Sequence, residues 1–290
     1  MLVTSAIISG IGLGSMYGLI ALGFHVTYTV SHTVNFAQGS AMMLGAVLGY
    51  TFAVKLGWPL PIAALIALAL CGLFGLVVER ALVRPFVARG SNAWLMATVA
   101  AGIVLDNAVL FTFGKEPRSF PSELASKPVM IFGAGVYPLQ LVIPVVGLGL
   151  AVLLHLLTHH TRRGKAMLAV VQNPDAARLM GIDVNRTIAA SFVVSTVLAG
   201  LAGLLIAPLF SVHSDMGTLF GIKAFAVAIL GGIESAWGVV LAGLIYGVGE
   251  ALITALLGST YTQIVSFALV ILALALRPNG LFGRAELRKV

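Results

Sequence analysis

Long apolar runs separated by short polar interruptions fill this chain from end to end. The runs lie at residues 2–24, 40–54, 60–78, 92–113, 137–158, 187–209, 236–257 and 261–276. Most reach the 18 or more residues that a spanning helix needs. The short alternating segments of a membrane β-barrel do not occur. The pattern predicts an all-α, polytopic helical membrane protein. About eight spanning helices are expected, with short broken or re-entrant segments, in a single transmembrane domain over residues 1–290.

The interruptions carry the detail. In the first run Gly10, Gly14 and Gly18 recur every four residues, a stripe on which another helix packs closely. Residues 25–39, HVTYTVSHTVNFAQG, are too polar to face lipid and too short for a full loop. They read as an interrupted helix or re-entrant turn, which survives at membrane depth only inside protein or beside a water-filled cavity. His32, Asn35 and Gln38 are therefore candidates for lining a path, or else groups that cap helix ends at an interfacial turn. Pro85 is expected to stop the third helix after Glu79, Arg80 and Arg84. Residues 114–136, broken by Pro117, Pro121 and Pro128, form one far-side loop, and residues 210–222 a second. Lys223 then opens a short apolar piece that cannot span alone. With the first residues outside and the tail inside, the number of crossings is odd, and this piece would contribute one as a half-helix; with eight crossings one terminus lies on the other side. A weak echo links Gly14-Ser-Met-Tyr-Gly to Gly243-Leu-Ile-Tyr-Gly, too short to define a repeat.

Composition sharpens the class. Of 290 residues 59% are hydrophobic and 9% charged, against about 25% charged in soluble domains. The net charge of +7 would suit nucleic acid in a soluble protein; here orientation in the membrane explains it, and no nucleic-acid partner is expected. Residues 79–89, 159–188 and the tail from Arg277 hold 12 of the 17 Lys and Arg, which places all three in the cytoplasm. The first run lacks the basic start of a cleaved signal peptide and reads as a retained helix. The single Cys71 permits no internal disulfide.

Candidate chemistry is sparse. Asp106 and Asn107 lie inside an apolar run, and Glu250 inside another. An intramembrane carboxylate is a functional-site hypothesis by default; for Asp106 the alternative is a solvated helix end near the far interface. His155 and His159 share a helix face without a third ligand nearby, so no metal site is expected. No GxxxxGK[ST] phosphate loop, GxSxG, HExxH or CxxC occurs, so the chain reads as a conduit and not as an enzyme. The most polar internal segment, Arg162 to Arg186, contains PDAARLMG. Pro174 and Asp175 suit a helix start and Gly181 a stop. Ala176, Ala177, Leu179 and Met180 offer a small apolar face, with Arg178 on a separate side. Such a helix lies on lipid or enters a groove on a partner.

These residues resemble the LivH-type permease subunits of ABC importers for branched-chain amino acids. The resemblance is carried by GLGSMYGLIALGFHVTYTVSHTVNFAQG (12–39), GKAMLAVVQNPDAARLMGID (164–183), GIKAFAVAILGGIESAWGVVLAGLIYGVGE (221–250) and RPNGLFG (277–283), and covers nearly the whole chain. The middle segment is similar to the ABC-permease "EAA" loop as Asp175-Ala176-Ala177, three residues, then Gly181, with Asp for Glu and without the later I-x-L-P ending. The resemblance implies a multi-pass bacterial plasma (inner) membrane protein with a cytoplasmic coupling loop at 160–187. It implies a paralogous LivM-type permease partner, one or two cytoplasmic ABC ATPases that bind ATP and Mg, a periplasmic or extracellular binding protein, surrounding lipid, and no cofactor on this chain. Related permeases carry urea, amides or aromatic carboxylates, and a proton-coupled secondary transporter is the rival outside the family.

Overall fold

A computed structural model describes residues 2–131 and 134–283. The first helix, α1 (Leu2–Ser31), is longer than its apolar run. It continues through the polar stretch because Thr27, Thr29 and Ser31 turn their hydroxyls back onto the carbonyls of Gly23, His25 and Thr27. That habit satisfies the side chains within the helix itself. The interruption therefore contracts to residues 32–37, opened by His32 in a left-handed conformation (φ 52°). Thr33, Val34, Asn35 and Ala37 are buried there.

Next come α2 (Gln38–Tyr50), extended by a π-helical stretch Thr51–Lys55, and α3 (Leu60–Val77). Pro85 does not end this third pass. A π-helical segment, Val78–Val83, precedes the short α4 (Arg84–Val87), and the widened turn accommodates the proline near the start of α4. Buried Glu79 is clasped there by Arg84 Nε and Nη2, at 2.9 and 2.8 Å. After α5 (Trp94–Phe113), the far-side loop holds a 3₁₀ turn, Glu123–Ala125, and a two-stranded antiparallel hairpin, β1 (Val129–Ile131) and β2 (Ala134–Val136). Arg118 and Val212 tie this loop to the second far-side loop through paired backbone bonds of 3.0 and 2.8 Å.

The remainder is α6 (Pro138–His160), α7 (Arg162–Gln172), α8 (Pro174–Leu179), α9 (Val184–Ile206), α10 (Met216–Gly231), α11 (Ala236–Leu257) and α12 (Ser259–Leu276). The expected loop 210–222 is thus helical from Met216, and Lys223 sits in the middle of α10 and not at its start. Among the described residues seven helices are long and apolar enough to cross a membrane; α2 and α10 are shorter.

The packing has a mirrored logic. Helix α1 runs antiparallel to α11 through its glycine stripe: a Cβ on Gly14 would fall 2.5 Å from the Gly243 carbonyl oxygen. The echo between the two Gly-x-x-Tyr-Gly segments is thus a contact, in which Tyr17 and Tyr246 meet edge to face at 5.5 Å. In the same manner α9 packs against α3, with Gly200 on Cys71 and Gly75 on Phe192. Helix α2 lies along α9, and α10 along α1. The two short helices meet where Gly39 faces Gly217 and Gly221. The sets α1-α2-α3-α5 and α9-α10-α11-α12 therefore repeat one arrangement in opposite directions, the inverted repeat of many transporters. Each short helix follows an extended return segment, so α2 and α10 both complete passes. Among the described residues nine passes alternate in direction, one more than the eight runs suggested. The number is odd, with residue 2 at the end opposite residues 277–283.

Residues 79–89, 159–188 and 277–283 gather at one end. Arg84 Nη2 reaches the Asn185 carbonyl at 3.4 Å, Val30 at the foot of α1 meets Val184, and Leu281 N bonds the Leu230 carbonyl at 2.7 Å. Arg284, Glu286, Arg288 and Lys289 of the tail lie outside the described residues.

Candidate functional site: the docking helix and the membrane path

At the basic end the polar segment is built of capped helices. Thr161 Oγ1 accepts from Gly164 N at 3.0 Å to start α7. Asn173 Oδ1 accepts from the amides of Asp175 and Ala176, each at 3.0 Å, to start α8, and Asp183 caps α9 through Arg186 N at 3.0 Å. Arg178 pairs with Asp175 at 2.9 Å on the solvent side. Gly181, at φ 82° with open space around it, ends the turn; the backbone conformation requires glycine there and the space does not.

The faces of α8 divide sharply. Ala177 is 3% exposed and belongs to a buried cluster with Val30, Val170 and Val184. It does not belong to an outward apolar face with its neighbours, as the sequence suggested. Ala176 is exposed, and Leu179 and Met180 are 90% and 82% exposed. Two adjacent apolar side chains held clear of the protein beside a basic helix form a ready surface for a partner.

The six path candidates do not converge. Gln38 is fully buried and clamps three helices: Nε2 donates to the Ser195 carbonyl at 2.9 Å and lies 3.5 Å from that of Ile20, and Oε1 accepts from Ser195 Oγ at 2.9 Å. Asn35 is buried beside it; Oδ1 accepts from Ala37 N at 3.1 Å, and Nδ2 has no partner among the described residues. His32 is exposed at the basic end and stacks edge-on with Tyr28 at 5.8 Å. Asp106 lies half-buried in mid-helix, against Ser40 of α2 and Thr218 of α10. It therefore stands where the two short helices begin, and their N-terminal dipoles favour a negative charge there. Asn107 beside it is exposed on an otherwise apolar face and bonds back to the Ile103 carbonyl at 2.8 Å.

Glu250 belongs to a different group. It forms a buried ion pair with Lys223, whose Nζ also stands 3.5 Å from Tyr17 Oη. Lys223 was not among the sequence candidates, because it read only as the start of a short apolar piece. The available signal was electrostatic: opposite charges inside apolar runs must find each other. His155 and His159 stack on one another at 4.2 Å, and among the described residues no three His, Cys, Asp or Glu side chains assemble as a metal-ligand set.

This architecture, an inverted repeat of membrane-crossing helices with a short capped helix exposed at its basic end, defines a polytopic helical membrane protein. The sequence pattern of the family described as "Branched-chain amino acid transport system / permease component" matches residues 6–274, and the chain belongs to that family. It is 34% identical to the high-affinity branched-chain amino acid transport system permease protein LivH of Escherichia coli, covering 97% of this chain and 96% of that protein. It is 33% identical to BraD of Pseudomonas aeruginosa, described as a permease protein of the same kind of system, over 98% and 97% of the two chains. The ribose import permease protein RbsC of Escherichia coli is 29% identical over 91% and 83%. Among solved structures, PsaBC from Streptococcus pneumoniae in complex with Fab shares the fold, with a TM-score of 0.51 at 13% identity, over 94% of this chain and 91% of that one. The protein is a multi-pass permease subunit of the plasma (inner) membrane.

Proposed function

We propose that this chain is the permease subunit of an ATP-driven importer of branched-chain and other hydrophobic amino acids. It forms the translocation path with a paralogous LivM-type subunit. Helix α8, with Asp175, Ala176, Arg178, Leu179, Met180 and Gly181 outward and Ala177 as its anchor, seats in a groove of a cytoplasmic ABC ATPase. ATP and Mg are bound there, and this chain binds no cofactor. A periplasmic or extracellular binding protein delivers substrate to the far-side loops joined at Arg118 and Val212. Asp106 and Asn107 line the path, with Asn35 and Gln38 behind them; Glu250 acts through α10, and His32 lies at the cytoplasmic exit.

The observation that carries the reading is α8: capped at both ends, anchored by Ala177 in a buried cluster with Val30, Val170 and Val184, and presenting two bare apolar side chains at the basic end. Energy delivered there reaches the membrane part through a docked rigid element. The test is reconstitution of the chain with its paralogue, ATPases and binding protein in proteoliposomes. ATP-dependent leucine uptake is expected. Uptake by the chain alone on a proton gradient would overturn the reading, and competition by urea, short amides or ribose would reassign the substrate.

A further inference from the structure

Among the described residues three carboxylates lie within the long membrane-crossing helices: Glu79, Asp106 and Glu250. Two of them are paired with a cation. Arg84 Nη2 stands 2.8 Å from Glu79 Oε2, and Lys223 pairs with Glu250. Asp106 differs: among the described residues no lysine, arginine or histidine comes within salt-bridge distance of it. The charged neighbour that it feels is a second carboxylate, Asp215, at the start of α10. An unpaired charge at membrane depth is costly and calls for a counter-charge. The described helices supply none, so it has to come from a molecule that reaches the α5 face.

Close packing sets the position. Gly102, one turn earlier on α5, brings that helix against the start of α2: a Cβ there would fall 3.0 Å from Ser40 Oγ. Asp106 is thereby set beside Ser40 and Thr218, where α2 and α10 begin. Helix starts favour a negative charge. The side chain is only half-buried, so a partner can still reach it. Next to it Asn107 is exposed, and its amide nitrogen donates to the Ile103 carbonyl at 2.8 Å, which leaves the amide oxygen as an acceptor. Around Asn107 the exposed face is apolar, with Ile103, Val104 and Phe111. A carboxylate and an amide oxygen at the edge of an apolar wall suit a cation carried on an apolar body.

We infer that Asp106 binds the ammonium group of the amino acid in transit, with the Asn107 amide oxygen as a second acceptor. The apolar face of α5 lies against the side chain of the cargo. The assignment rests on the reading of the chain as an amino-acid permease, and it names the group by which the path selects its cargo. Urea and simple amides carry no cation to offer, and an aromatic carboxylate is repelled.

Asp106→Asn keeps the shape of the side chain and removes its charge. In the full reconstituted importer, maximal leucine uptake is expected to fall about tenfold, the worth of a hydrogen bond to a charged group. The concentration of loaded binding protein that gives half-maximal uptake should not change, since docking occurs at the far-side loops. Assembly is kept and the thermal midpoint is unchanged or raised, because an uncompensated carboxylate has been removed. Saturation-transfer NMR reads the contact directly, on the importer in nanodiscs without binding protein. The probes are leucine and isocaproate, which is leucine without its ammonium. Leucine should receive saturation from the wild type and not from Asp106→Asn, and isocaproate from neither. Unchanged uptake in Asp106→Asn overturns the assignment and leaves the permease reading standing. So does leucine contact that is absent in the wild type or kept in the variant, or equal contact by isocaproate. A lowered midpoint or loss of the paralogous subunit also overturns it, because the carboxylate would then serve assembly. A wild-type complex that imports nothing overturns the permease reading itself, and the assignment with it.

Discussion

Ala177 of α8 and Val30, in the last turn of α1, lie in one buried cluster with Val170 and Val184. Through this cluster α8 is linked to the helix that gives way, two residues after Val30, to the break leading to α2. A displacement of α8 is therefore felt first at the foot of α1 and then along the buried segment 32–37. Coupling through a packed contact of this kind is discrete, because close-packed side chains shift between arrangements and do not stretch.

Enlarging Ala177 attacks that contact directly. Ala177→Leu overfills a site that is 3% exposed, at a cost of about 1–3 kcal/mol. The cost falls on the α7–α8 segment and leaves the membrane helices folded. Co-purification of the ATPases and ATP-driven uptake should both drop, while size-exclusion behaviour of the permease pair stays normal. Normal uptake with ATPases bound at wild-type stoichiometry would remove α8 as the coupling element.

The outward face makes the opposite prediction about stability. Leu179 and Met180 touch almost nothing in this chain, so Leu179→Ser with Met180→Ser should change its thermal midpoint little, within about 0.5 kcal/mol per site. Binding to the ATPase should nevertheless weaken, because apolar anchors in a groove carry most of an interface's energy. Titration of purified ATPase against the permease in nanodiscs reads this out. Unaltered affinity would point to a lipid-facing role for α8.

Lys223 and Glu250 lend themselves to a double-mutant cycle. Lys223→Met strands a buried carboxylate and should cost about 3–5 kcal/mol, as should Glu250→Gln, which strands the ammonium. Combining the two substitutions removes both charges and should recover most of the loss. Thermal unfolding of the four variants measures the coupling; additive losses would show that the pair does not interact as the geometry requires.

The sequence made the membrane architecture legible through its apolar runs, and the basic end through its arginines and lysines, because both signals are local. The glycine stripe was equally plain, and its partner surface on α11 carries the matching motif. What misled were residues whose meaning depends on a neighbour. Polar Thr27, Thr29 and Ser31 suggested a broken helix, yet each bonds back within α1. Pro85 suggested a stop, yet a π-helical segment absorbs it. Lys223 read as the start of a short apolar piece, yet it lies within α10 and pairs with Glu250, 27 residues away in sequence. The inverted repeat left only a faint trace, since opposite direction in space demands no shared side chains.

Gln38 tests how far the path extends into the packed interior. It is the first residue of α2 and bridges α1 and α9 with no exposed surface. Gln38→Leu leaves the Ser195 hydroxyl without its acceptor, a loss of about 1–3 kcal/mol. Ser195→Ala in the same chain removes that orphan, so the double variant should be more stable than Gln38→Leu alone. Asn107→Leu, on an exposed face, should leave stability nearly unchanged. The two positions therefore separate structure from transport. Uptake should fall with Gln38→Leu only as far as assembled complex is lost, and should fall with Asn107→Leu at full assembly. Uptake per assembled complex, measured for all three variants against the wild type, decides between them. A normal value for Asn107→Leu would exclude that face of α5 from the path, and a reduced value for the Gln38→Leu, Ser195→Ala double variant would place Gln38 within it.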